Sequence, residues 1–94
     1  MQNYILEAYL PLSRAQQARA TAHRARAAAE ALAHDGVSIR YVRTTYLPDD
    51  ETCFHLFEAA SPDIVEEAGR RAELGRVRVI PAVETPRPAR RRAK

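Results

Sequence analysis

The octapeptide TCFHLFEA, residues 52–59, holds the only cysteine of the chain and a histidine two positions later. Residues two apart on a strand point to the same side, with their Cα atoms roughly 6.5–7 Å apart. Cys53 and His55 so placed can both reach one ion, and a thiolate with an imidazole suits zinc, nickel or copper. Glu7, late in an earlier apolar segment, can add an oxygen, so Glu7, Cys53 and His55 form a candidate metal set completed by ligands from elsewhere. A second chemistry uses His55 as general base and Glu7 as the carboxylate that orients it, with Tyr9, Tyr41 or Tyr46 donating to a substrate oxygen. The plainer reading of the pair is a buried cysteine beside a hydrogen-bonded histidine.

The other two histidines do not join this site. His23 and His34 lie on one helix, eleven residues apart, which at 1.5 Å per residue is roughly 16 Å. They cannot share an ion and are expected on the surface. No nucleophile elbow, phosphate loop or dinucleotide fingerprint is present.

The elements that must position these residues are legible. Residues 3–10 read as a strand rich in tyrosine and aliphatics, ended by Pro11. Ser13 and Gln16 have the spacing of a capping box. Ala15, Ala18, Ala22, Ala25, Ala29 and Leu32 follow at alternating steps of three and four, one face of a helix built almost wholly of methyl groups. Gly36 supplies its left-handed stop. The stretches 37–47 and 52–59 are β-branched and aromatic, and the PDDE turn between them makes a hairpin. Ser61 and Pro62 open a second helix that buries Val65, Ala68 and Ala72. Residues 76–84, RVRVIPAVE, are the last strand.

The order β-α-β-β-α-β, with right-handed crossovers, predicts an α+β, ferredoxin-like sandwich: a four-stranded antiparallel sheet with two helices on one face. Strands one and three are central and the other sheet face is bare. Alternation assigns Tyr4, Leu6 and Ala8, Val37, Ile39 and Tyr41, Phe54 and Leu56, and Val77, Val79 and Val83 to the helix side. It sends Ile5, Glu7, Tyr9, Arg40, Val42, Thr44, Tyr46, Cys53, His55, Phe57 and Ile80 to the bare side. Such a face is too apolar to stay wet and too polar to be plain core. A dimer packed sheet against sheet around a polar pocket accounts for both properties. Tyr9, Arg40, Tyr46 and Phe57 are then the expected ligand-binding residues.

The segment from Gly36 to Glu84, above all FHLFEA running into the second helix, resembles a widespread bacterial family of small ferredoxin-like domains of unknown function that includes an actinobacterial nickel-binding protein. The resemblance covers about Tyr4 to Glu84. Family members carry an aromatic, a cysteine, an aliphatic, an aromatic and Glu-Ala-Pro at this point; here Phe54, His55, Leu56, Phe57, Glu58 and Ala59 match, with His55 in the cysteine's place. Glu7 matches a recurrent family acid. The resemblance implies the same fold and admits nickel as a ligand. Where the nickel-binding branch is richer in histidine, in and after the second helix, this chain carries Arg70, Arg71 and Glu73 instead.

Composition bounds the rest. Eighteen of the 94 residues are alanine, so large apolar side chains are few for a lone domain and self-association is expected. The net charge of +3 comes from the last ten residues, TPRPARRRAK; before them 10 basic residues face 12 acidic ones. The domain is expected over residues 1–84, with residues 85–94 a disordered basic tail. A net acidic body without ribonucleoprotein signatures argues against nucleic acid as the partner. A lone cysteine fits a reducing cytoplasm, and the start MQNYILEAYL reads as neither signal peptide nor membrane span. The sequence thus predicts a small cytoplasmic homodimer that binds a small molecule or a transition metal, nickel or zinc, on its bare sheet face. The alternative is a cofactor-independent isomerase, cyclase or oxygenase with His55 as base, by analogy of fold.

Overall fold

The computed structural model describes residues 1–85; the predicted tail lies almost entirely outside them. Four strands, β1 (Gln2–Tyr9), β2 (Ile39–Leu47), β3 (Thr52–Ala59) and β4 (Val77–Ala82), and two helices, α1 (Ala18–His34) and α2 (Pro62–Arg71), follow in the predicted order. The strands make one antiparallel sheet in the order β2-β3-β1-β4, with β1 and β3 central. This is the ferredoxin-like layout.

Short residues bring the layers together. The buried side chains of α1 are Thr21, Ala25, Ala28, Ala29 and Leu32, so little more than methyl groups separates this helix from the sheet. On α2, Val65, Ala68 and Gly69 are buried. They meet Tyr4, Leu6 and Ala8 of β1 and Cys53, Phe57 and Ala59 of β3 in one cluster. Burial of side chains such as Leu6 or Phe57, both without exposed surface, stabilises the fold by roughly 1.5–3 kcal/mol each. Gly36 closes α1 at φ 91°, as the sequence predicts.

The start of α1 differs from the capping-box expectation. Leu12–Gln17 form a 3₁₀ segment kinked at Arg14, and no side chain caps it. The Leu12 N–H instead donates to the Glu51 carboxylate at 2.7 Å, and the Leu10 N–H to the Glu51 carbonyl at 2.8 Å. The hairpin turn therefore takes over the role expected of Ser13. Ser61 stands at the N-cap position of α2 with Pro62 inside it, although its side chain makes no capping hydrogen bond either. Val83, expected on the helix side, lies past the end of β4 and is 91% exposed.

Two phase changes redistribute the faces. On β3, Cys53, His55 and Phe57 pair across the ladder with Ala8, Leu6 and Tyr4. Directly paired residues share a face, so all three point at the helices, and Phe54 and Leu56 point away. On β2 the register slips by one residue between Tyr41 and Arg43, a β-bulge with Val42 as the extra residue. Beyond it Thr44 and Tyr46 pair with His55 and Cys53 and turn to the helix side, opposite to simple alternation.

Candidate functional site

Three of the expected open-face residues are core. Cys53 is 1% exposed, and its Sγ lies 3.8 Å from the Thr21 Oγ1 of α1. Burial pushes its thiol above the ordinary range, against a smaller opposing effect of the Thr21 hydroxyl. At neutral pH it is a packed thiol, not a thiolate. Phe57 is fully buried and meets Tyr41 edge-on, ring centroids 5.8 Å apart.

His55 is also fully buried. Its Nδ1 stands 2.7 Å from Thr44 Oγ1, which stands 2.7 Å from the Tyr41 phenol. Among the described residues its Nε2 has no hydrogen-bond partner. Burial, and secondarily the positive charge of Arg24, lowers the imidazole to about 4. A base of that strength, enclosed between sheet and helices, is poorly matched to neutral-pH proton abstraction. The plainer reading of the Cys53–His55 pair is the one that the packing supports.

The metal set is not gathered. Glu7 pairs with Phe54 and Arg78, on the face opposite Cys53 and His55. No three His, Cys, Asp or Glu side chains stand close enough to hold an ion among the described residues. The reason is the parity of the ladder: Glu7 and His55 are one register step apart, and one step reverses the face. His23 and His34 are exposed on α1, as expected.

The ligand-binding residues scatter likewise. Tyr46 faces the helices and its hydroxyl donates to the Leu10 carbonyl at 2.9 Å, while burial raises its phenol above the ordinary range. Arg40 is held by Glu58 at 2.9 Å across the sheet. Only Tyr9, 64% exposed, stands free on the bare face.

That face has an ordered pattern of its own. One row across the strands runs Arg43, Leu56, Ile5, Ile80; the next runs Thr45, Phe54, Glu7, Arg78; Thr52 and Tyr9 follow. An apolar patch of Leu56, Ile5, Ile80 and Phe54 thus adjoins a polar end of Glu7, Arg78, Thr52 and Tyr9. The ion pairs Arg40–Glu58 and Arg43–Glu84 lie at its border. A shallow depression bounded by Glu7, Tyr9, Thr52, Arg76 and Arg78 marks the polar end.

The Tyr41–Thr44–His55 chain and the Thr21 contact were missed by sequence reasoning. A threonine two residues beyond an unseen bulge carries no local signal of its inward aspect. The fold and this face define the chain as an α+β sandwich with one sheet face uncovered. Compared with family models, curated proteins and solved structures, the sequence matches none. No helix among the described residues is long and apolar enough to cross a membrane.

Proposed function

We propose that the protein is a small-molecule-binding homodimer whose protomers close over the helix-free faces of their sheets. The observation that carries this reading is the row Leu56–Ile5–Ile80 with Phe54 beside it, an apolar patch over three strands that neither helix covers, in which Leu56 is buried and Ile5, Ile80 and Phe54 are half-buried. Packing against a copy removes the remaining exposed surface of Ile5, Phe54 and Ile80 from water, and the flanking ion pairs suit a solvated rim. The polar end then becomes the ligand pocket, with Glu7, Tyr9 and Arg78 offering an acceptor, a hydroxyl and a bidentate cation.

The test is a native mass spectrum of the wild-type chain, which reports subunit number and any bound small molecule together. A dimer carrying a small molecule that is lost in Arg78→Ala is expected. Introducing Ile5→Lys with Ile80→Lys should give a folded monomer, since two like charges would face their copies in a dry interface. A wild-type monomer, or a double variant that stays dimeric, overturns the reading.

A further inference from the structure

At the end of the sheet, on its helix side, a cleft of ≈ 330 Å³ opens where the strand ends meet the start of α1 and the loop from α2 to β4; it shares Tyr9 and Arg76 at its rim with the bare-face depression. That volume lies within the range of small-molecule sites, roughly 300–1,000 Å³. Its inner wall includes Ala8, Leu10, Leu74, Thr21 and Cys53, most of them core residues. Three arginines, Arg14, Arg24 and Arg76, also line it, against a single carboxylate, Glu73.

Ion pairing separates these arginines from five others of the chain. Arg26, Arg40, Arg43, Arg70 and Arg71 each lie on a carboxylate. Among the described residues Arg14 and Arg76 have no such partner, and Arg24 spends only its Nε, on the Ala72 carbonyl at 2.9 Å. A second groove of ≈ 370 Å³ between α1 and β2 is lined by Arg26 and Arg40, both already neutralised by Glu30 and Glu58. Unlike that groove, the strand-end cleft brings together three arginines of which none lies on a carboxylate among the described residues. The Arg24 charge is felt as far as His55, whose protonated form it disfavours.

We infer that this cleft binds a small organic carboxylate with an apolar body. Guanidinium forks match a carboxylate in bidentate geometry, and three of them around one acid leave the site short of negative charge. The Leu10 and Leu74 side chains complement an alkyl or aryl group. The buried thiol of Cys53 contributes shape rather than charge.

Nitrogen–proton correlation NMR of the full chain, titrated with benzoate and separately with benzamide, tests the assignment. Benzoate should produce saturable shifts at the amides of Leu10, Thr21, Leu74 and Gly75, and benzamide should bind at least tenfold more weakly. Arg14→Gln combined with Arg76→Gln, both exposed, should weaken benzoate about tenfold with the melting temperature unchanged. Each single variant should give part of that loss. Absence of saturation by benzoate, equal binding of benzamide, or undiminished binding by the double variant overturns the inference.

Discussion

The Nδ1 of His55 and the Oγ1 of Thr44 stand 2.7 Å apart across the β2–β3 ladder, and the same hydroxyl lies 2.7 Å from the Tyr41 phenol. One threonine thus joins a fully buried imidazole to a half-buried phenol. Two proton arrangements complete the chain: the hydroxyl donates to Nδ1 and accepts from Tyr41, or it accepts from Nδ1–H and donates to Tyr41. In either case Nε2 is left alone.

Thr44→Val should therefore destabilise the protein more than a surface change would. It keeps the shape of the side chain and removes a shared partner, leaving the imidazole nitrogen unpaired in the core. A cost of about 1–3 kcal/mol is expected, measured by urea denaturation, with Thr44→Ser recovering most of it. A loss near zero would show that the chain contributes nothing.

The buried imidazole makes stability depend on pH in a definite sense. Its folded value of about 4 lies below the ordinary 6.5, so the unfolded chain takes up a proton first. Stability is full above pH 6.5, falls as the pH drops toward 4, and levels below it as far as this group is concerned. The loss over that window amounts to about 3 kcal/mol. His55→Leu should flatten this part of the profile; chemical denaturation of both proteins across the window checks it. At neutral pH the variant should be no less stable than wild type by more than about 1 kcal/mol, because it also removes the unpartnered Nε2.

Gly69 marks the closest approach of α2 to the sheet. A Cβ there would stand 2.9 Å from the Leu6 Cδ1 and 3.6 Å from the Val77 Cγ2. Leu6 is fully buried, so its side chain must shift within the core to admit the methyl group. Gly69→Ala, although it favours helix locally, should destabilise by roughly 1–2 kcal/mol, read as a lower denaturation midpoint at unchanged slope. A stabilised variant would mean that the α2–sheet contact yields easily.

The amino-acid sequence by itself determined the element order, the two helices on one side and the central position of β1 and β3. Each follows from local periodicity, Ser61-Pro62, Gly36 and the PDDE turn, with crossover handedness leaving one topology. On β1 both sets carry a large apolar residue, so alternation left the inward side open; the fold places Tyr4, Leu6 and Ala8 on the face that the helices cover. Only the tertiary structure decided the face of β3. Phe54-Leu56 and Cys53-His55-Phe57 are both apolar enough to be core, and the choice depends on pairing with β1. The register sets Leu6 opposite His55, so packing draws a histidine under the helices and sends Leu56 to the bare side. The bulge at Val42 belongs to the same class: nothing in RYVRTT announces an extra residue, yet it turns Thr44 and Tyr46 inward. Side-chain type follows from the chain, whereas parity along a strand is a property of the whole ladder. A site read from parity alone could therefore gather Glu7, Cys53 and His55 that the folded sheet holds on opposite sides.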